Sequence, residues 1–257
     1  MPEEATGHSD PRSLHERIAA DLRDDIMRGD LPPGGKMPTT AQLTERFSAS
    51  NATVQKALRL LKDEGLVVGR AGSSVTVRER RQQLVRPAAY LAPAAPGEPL
   101  PWISKNSGDG RRPSSRLLEV AEVTPPTDVS QALALPLGGQ ALLRAQILSI
   151  DEEPVELVQS YYPLELARGT ALTELRKIRG GSPALLAGLG HPPRSSVDRV
   201  SARIPTQEQY TALKLPGDLP VLRTLRVVRS DAPRPIEVTV MVKAGHLYEL
   251  EYEFTSE

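Results

Sequence analysis

Two short helices separated by only two residues constrain the fold of this chain more than any other feature. The second helix spans residues 50–65, where Ser50 can accept the first free backbone N–H groups and Gly65 can end the helix in the left-handed conformation. The first helix spans residues 39–47 and begins with a capping box formed by Thr39 and Gln42. The apolar residues of the second helix recur at helical spacing and should face a core, namely Val54, Ala57, Leu58 and Leu61.

The tight turn between these capped helices is typical of a helix-turn-helix, whose second helix lies in the major groove of DNA. Downstream, two β-prone runs, 66–68 and 75–77, flank a hairpin tip of small residues at 70–74. Upstream, a third helix ends at Gly29 and has four apolar residues at helical spacing, Leu14, Ile18, Leu22 and Ile26. Three helices and a hairpin predict a winged helix-turn-helix over residues 13–79.

The outward face of the second helix carries amides near its start and cations behind them. Amide side chains can pair with a base edge, whereas Lys and Arg neutralise phosphates. We therefore expect Asn51 and Gln55 to read bases. If the helix stood alone, a solvated polar face would be the better interpretation, but the neighbouring helix and hairpin favour DNA binding. The residues expected to contact DNA are Thr40, Arg46, Asn51, Thr53, Gln55, Lys56, Arg59, Arg70, Gly72 and Ser73.

This region resembles the N-terminal domain of the GntR family of bacterial transcription regulators. The resemblance covers about residues 13–78 and implies a sequence-specific DNA-binding domain. Three positions where many members carry DNA-contacting arginines hold Ala41, Asn51 and Gln55, and since Asn and Gln favour adenine over guanine edges, we expect a different base preference. The matching motifs are Leu31-Pro32-Pro33-Gly34, Met37-Pro38-Thr39 leading to Leu43, Thr53-Val54 with Ala57-Leu58, and Glu64-Gly65-Leu66.

Charge is unevenly distributed along a chain that is neutral as a whole. The 32 Lys and Arg balance 32 Asp and Glu, which argues against a uniformly basic nucleic-acid coat. Residues 46–86 nevertheless carry nine Lys or Arg against three acids, whereas residues 1–45 carry five against nine. A basic face within a neutral protein favours site-specific DNA binding over indiscriminate coating.

Composition limits the remaining functions. The 257 residues leave room for a second domain, no apolar run is long enough to cross a membrane, and no cysteine is present for thiolate chemistry. The four histidines have no ligand spacing, so we expect no metal, no cofactor and no catalytic residue. The start of the chain lacks a signal-peptide pattern, and we expect a cytoplasmic protein. Residues 1–12 are predicted to be a disordered tail, 80–87 a linker and 88–257 the second domain.

The second domain contains an internal repeat in which each copy runs strand, helix, long strand, turn, long strand. Predicted strands cover 117–124, 142–150 and 155–162 in the first copy and 197–204, 221–229 and 236–242 in the second, with helices near 128–135 and 207–215. A candidate strand at 88–91 precedes the first copy, and a last strand at 247–254 closes the set. Short turns predict antiparallel pairs, hence an α+β domain on one antiparallel sheet with a cleft between its halves.

This order of elements resembles the UTRA domain, the ligand-sensing module of the HutC subfamily, which shares its fold with chorismate lyase. The resemblance covers about residues 85–257 and rests on motifs such as Pro113-Ser114-Ser115 and Pro235-Ile236-Glu237. In sugar-phosphate sensors of the family an Arg-x-Arg pair grips the phosphate, but those positions hold Gln146 and Leu148 here, so we expect an effector other than a phosphosugar. The resemblance and strand alternation imply effector contacts from Ser115, Arg144, Gln146, Ser182, Glu237 and Lys243.

Two interpretations of Arg144 and Glu237 remain open, a ligand contact and a structural ion pair inside the sheet. The whole sequence predicts a transcriptional regulator, expected to be a repressor, that binds double-stranded operator DNA as a homodimer and responds to a small molecule. One alternative is a DNA-binding dimer that needs no ligand. Another, with less support, is a lyase-like enzyme tethered to DNA, although no nucleophile–base pair favours catalysis.

Overall fold

The computed structural model describes residues 10–69, 74–79, 82–90, 92–93, 98–108, 110–217 and 219–255. The chain divides into two compact units, Met1–Gln82 and Gln83–Glu257, each with its own hydrophobic core. The expected helix-turn-helix domain falls within the first unit and the expected sensor domain within the second. Most of the tail predicted at residues 1–12 lies outside the described residues.

Three helices and a hairpin form the first unit. Helix α1 spans Leu14–Arg28, α2 Thr40–Phe47 and α3 Asn51–Asp63, and strands β1, Val67–Val68, and β2, Thr76–Val77, pair antiparallel. The predicted caps are present, because Thr39 accepts from the backbone N–H of Gln42 and Ser50 from that of Thr53. Gly29 ends α1 with a left-handed φ of 85°. The predicted winged helix-turn-helix is confirmed.

The core of the first unit is built from the apolar faces of its three helices and from the hairpin. Leu14, which helical spacing placed in the core, is instead 39% exposed, since it is the first residue of α1. Asp25 is a charged residue at the edge of this core and accepts hydrogen bonds from Arg28 and from Arg46, which ties α1 to α2. The side chains with almost no exposure are Ile18, Leu22, Leu43, Val54 and Leu61.

The strands of the second unit are β3 (Gln83–Val85), β4 (Pro113–Val123), β5 (Ala141–Ile150), β6 (Glu153–Pro163), β7 (Ser195–Arg203), β8 (Val221–Arg229), β9 (Pro235–Ala244) and β10 (Tyr248–Leu250). Six of them form an antiparallel sheet at the centre of the unit, in the spatial order β4-β5-β6-β9-β8-β7. Each copy of the predicted repeat supplies three consecutive strands, and the last strand of each copy, β6 or β9, lies at the centre and pairs with the other.

The start and the end of the second unit differ from the sequence prediction. The predicted linker, 80–87, contains strand β3, which pairs in parallel with β10 as a separate two-stranded sheet. The last strand is therefore only Tyr248–Leu250, not 247–254, and it lies outside the main sheet. The candidate strand at 88–91 is replaced by a 3₁₀ helix, Pro87–Tyr90. Because β3 and β10 are far apart in sequence, no local sequence pattern could predict that they pair in parallel.

Short helices surround the sheet. The predicted helices in the two repeats end earlier than expected, because Ala134 and Lys214 adopt left-handed φ values of 55° and 49° two residues before Pro136 and Pro216. Trp102 is 7% exposed and belongs to the main core. The α-helices are α4 (Pro101–Asn106), α5 (Thr127–Ala132), α6 (Leu164–Ala167), α7 (Gly181–Gly188) and α8 (Gln207–Leu213).

Asp25→Ala should destabilise the first unit by about 1–2 kcal/mol, because it removes the acceptor shared by Arg28 and Arg46. Asp24→Ala is the matched control, since Asp24 is exposed and its ion pair with Arg28 should contribute about 0.5 kcal/mol or less. Urea denaturation of the full chain measures both changes. Equal destabilisation by the two variants would show that Asp25 does not hold α2 to α1.

Candidate DNA-binding face and ligand cavity

The exposed face of α3 carries four of the ten residues predicted to contact DNA. Asn51, Gln55, Lys56 and Arg59 are all exposed. Gln55 is also held in place, because its Nε2 donates to Thr40 Oγ1 at 3.0 Å and so joins α3 to α2. This bond leaves the Gln55 carbonyl oxygen and a second N–H on the same amide for other partners.

Arg46 and Thr53, also predicted to contact DNA, have structural partners in the first unit. Arg46 Nη1 lies 2.7 Å from Asp25 Oδ2, and its guanidinium carbon lies 4.8 Å from the centre of the Phe47 ring. Thr53 Oγ1 lies 2.9 Å from Ser50 Oγ within the helix cap. The other predicted contacts, Arg70, Gly72 and Ser73, lie outside the described residues. DNA contact by each residue of the predicted set stays a prediction.

Two adjoining cavities lie against one face of the main sheet in the second unit. The inner cavity has a volume of about 160 Å³ and the outer cavity about 560 Å³. Strand alternation exposes the even-numbered residues of β5 and β6 and the odd-numbered residues of β9 to this face. The opposite face packs against α5 and α8 in the main core. The cavities share the lining residues Leu100, Gln146, Ser160 and Ser182.

All six residues predicted to contact an effector line these cavities. Ser115 and Arg144 line the outer cavity, Glu237 and Lys243 line the inner one, and Gln146 and Ser182 line both. The structure thus brings together residues that are separated by up to 128 positions in sequence. Their contact with an effector stays a prediction.

Arg144 and Glu237 do not form the ion pair that the sequence left open. Arg144 Nη1 donates to the carbonyl oxygens of Leu172 and Glu174, and Nη2 donates to that of Arg176 at 2.8 Å. Burial lowers the pKa of Arg144 from its usual value. The guanidinium therefore fixes the loop that leads to α7, and it keeps further N–H donors for the outer cavity.

Glu237 is buried and is held by hydroxyl groups rather than by a cation. Its Oε1 accepts from Ser160 Oγ at 3.1 Å and from Thr239 Oγ1 at 2.5 Å. Burial raises the pKa of Glu237, while these two hydroxyls and the charge of Arg226 act in the opposite direction. The two hydroxyl donors therefore hold Oε1 of this buried carboxyl group in the inner cavity.

The inner cavity contains two ion pairs, one buried and one partly buried. Lys243 Nζ lies 2.7 Å from Glu156 Oε1, with both side chains about 5% exposed or less, and Tyr248 OH donates to Glu156 Oε2 at 3.3 Å. Arg226 forms two hydrogen bonds of 2.7 Å to the carboxylate of Asp198. Lys243, expected to contact an effector, is thus already neutralised by a cross-strand partner.

Sequence reasoning missed several residues that build the cavities, above all Glu156, Asp198 and Arg226. The available signal was a charge within an apolar strand, as in Val155-Glu156-Leu157 and Val242-Lys243-Ala244, since a charge in such a run is buried only with a partner. Which charges pair across the sheet depends on the order of the strands, and that order was not predicted.

Among the described residues, no helix is long and apolar enough to cross a membrane, and no three His, Cys, Asp or Glu side chains cluster as a metal site.

A winged helix-turn-helix joined to a domain with a cavity for a small molecule defines the class of ligand-sensing DNA-binding regulators. The family models agree: "Bacterial regulatory proteins, gntR family" matches residues 14–77, and "UTRA domain" matches residues 108–249. The chain belongs to the GntR family of transcriptional regulators with a UTRA domain.

Relatives match over nearly the whole chain. The HTH-type transcriptional regulator SCO4628 of Streptomyces coelicolor is 29% identical over 95% of this chain and 91% of its own. The HTH-type transcriptional regulator GgaR of Escherichia coli K12 is 25% identical over 93% and 90%. The solved structure of PhnF from Mycobacterium smegmatis has the same fold, with a TM-score of 0.58 and 20% identity over 93% of this chain and 100% of that chain.

Glu237→Gln should change how stability depends on pH. Because the folded pKa of Glu237 is raised, its contribution to stability is fully present below the unfolded pKa of about 4.3 and is lost as pH rises through the folded value. Wild-type protein should therefore lose more stability than E237Q as pH rises above about 4.3, by roughly 1.4 kcal/mol for each unit of pKa shift. Urea denaturation measures the difference, with Glu249→Gln at an exposed site as the control. Identical pH profiles for all three proteins would contradict a buried, proton-retaining Glu237.

Proposed function

We propose that this regulator is a repressor that binds operator DNA as a homodimer and changes its DNA affinity when a small molecule occupies the inner and outer cavities. A homodimer would place two α3 helices on half-sites about 34 Å apart. The exposed polar face of α3, with its cations and the amide of Gln55, supports direct base reading. The protein acts on DNA in the cytoplasm and has no catalytic role.

The observation that carries the regulatory part of this proposal is the path of the chain as the second unit begins. Strand β3 starts at Gln83, where the first unit ends, and the next residues, Val85, Pro87 and Tyr90, line the inner cavity. Arg226 Nη2 also donates to the carbonyl oxygen of Pro87 at 3.2 Å. A ligand in the inner cavity would therefore contact the segment that leads to the DNA-binding unit. Such a contact gives ligand binding a physical route to the placement of that unit.

Selection of bound DNA from random duplexes by the full chain tests the DNA-binding part. We expect a recovered site with two related half-sites, and a reporter gene placed behind that site should be silenced when the protein is present. Enrichment of no common sequence would contradict site-specific binding. Activation of the reporter would contradict the repressor assignment alone.

Gln55→Ala should weaken binding to the best operator by about 1–3 kcal/mol and relax the preference at one position in each half-site. Arg59→Ala should instead weaken binding to all sequences and reduce the slope of log affinity against log salt by about one. Fluorescence anisotropy with matched and mutated operators separates the two effects. Uniform losses across sequences for both variants would mean that the front of α3 does not read bases.

Thr40→Val should reproduce part of the Gln55→Ala defect, because it removes the hydroxyl that holds the Gln55 amide in place. We expect a loss of about 0.5–1.5 kcal/mol on the best operator and a smaller one on unrelated DNA. Thr44→Val is the control on the same helix, since the Thr44 hydroxyl donates to the carbonyl oxygen of Ala41 within α2. Equal operator affinity for T40V and T44V would show that Gln55 needs no support from Thr40.

A further inference from the structure

The inner cavity has the size and the lining of a site for a compact apolar group. Its volume of about 160 Å³ is close to that of an apolar protein cavity of about 150 Å³ known to hold a benzene ring. The walls include Leu148 from β5, Val158 from β6 and Met241 from β9, neighbours on the cavity face of the sheet. Trp102 from α4 and Leu250 from β10 also line it.

The charged groups of the inner cavity mostly neutralise one another. Lys243 is paired with Glu156 in a buried pair, and Arg226 is paired with Asp198 in a partly buried one. Oε1 of Glu237 is already occupied by two hydroxyls. A charged ligand group placed here would lose its water and find the opposite charges already paired, which costs free energy. An apolar group loses nothing by the same transfer and gains from burial.

The outer cavity has the opposite character. Three cations line it, Arg144, Lys177 and Arg179, and none of its described lining residues is Asp or Glu. Lys177 and Arg179 are exposed on the loop that Arg144 holds through backbone carbonyls. Ser115, from β4, also lines this cavity. This cavity suits an anionic group that remains partly in contact with water.

We infer that the effector is an organic acid with a compact apolar body, aromatic or branched aliphatic, whose body fills the inner cavity and whose carboxylate lies among the cations of the outer cavity. The inference rests on the effector site proposed above and gives that site a ligand class. The acid end lies in the outer cavity, because the cations there have no acid among the described lining residues, whereas Lys243 and Arg226 of the inner cavity are already paired with acids.

Four simple probes test the two halves of this ligand separately by isothermal titration calorimetry with the full chain. 3-Phenylpropionate carries both the ring and the carboxylate, 3-phenylpropan-1-ol carries the ring alone, and acetate carries the carboxylate alone. Glucose 6-phosphate represents a polar phosphorylated sugar. We expect 3-phenylpropionate to bind at least about tenfold more tightly than each of the others, since burial of a ring and capture of its charge both contribute.

Variants of the lining residues test which cavity holds the ring of the ligand and which holds its carboxylate. Replacing Lys177 and Arg179 by Gln should weaken 3-phenylpropionate about three- to tenfold and leave 3-phenylpropan-1-ol unchanged. The matched control replaces two cations on the edge strand β7, Arg199→Gln with Arg203→Gln, and should change neither. Val158→Thr, which adds a hydroxyl to the inner wall at nearly constant volume, should weaken both ring-bearing probes, whereas Val200→Thr at an exposed site should not.

Tighter binding of glucose 6-phosphate than of 3-phenylpropionate would overturn the ligand class and leave an effector-responsive regulator intact. Binding of none of the four probes would also overturn it. Binding of 3-phenylpropionate with no dependence on Lys177, Arg179 or Val158 would overturn the placement in these cavities. Operator binding by the same preparation reports separately on the proposed function, because it needs no ligand.

Discussion

The pairing of β6 with β9 is the interaction on which the second unit depends. These strands are the last of the two repeats, and their ladder joins the halves into one sheet. On the cavity face the ladder places Glu156 opposite Lys243, which are bonded at 2.7 Å, and Ser160 opposite Thr239, whose hydroxyls both donate to Glu237. A slip of one residue would turn these polar side chains into the apolar core. The register of β6 against β9 therefore determines both how the two halves of the sheet pair and which polar side chains face the cavities.

Burial of so many charges at the floor of a cavity requires each to have a partner. The structure meets this requirement in three ways: cross-strand ion pairs for Lys243 and Arg226, hydroxyl donors for Glu237, and backbone carbonyls for Arg144. Removing one partner of such a pair costs more than the pair contributes, because the other charge stays buried. The paired charges of the inner cavity nearly cancel one another, whereas the cations of the outer cavity leave it positively charged.

The first unit could be predicted from sequence almost completely, because its determinants are local. Caps such as Thr39 and Ser50, the stop at Gly29 and apolar residues at helical spacing fix each helix without reference to distant segments. In the second unit the repeat predicted six strands and strand alternation placed Arg144 and Gln146 on one face. The pairing of β3 with β10, and of Arg226 with Asp198, depends on contacts between segments far apart in sequence. No local pattern reports such contacts, so the partner of each buried charge was not predicted.

Occupation of the cavities in the second unit should alter DNA binding by the first unit. The most direct test is the affinity of the full chain for its selected operator, measured by fluorescence anisotropy with the cavities empty and with them saturated by 3-phenylpropionate. We expect the Kd for operator to change by at least about fivefold, with a midpoint between the Kd of the ligand for free protein and its Kd for DNA-bound protein. An unchanged Kd for operator at full ligand occupancy would contradict this expectation.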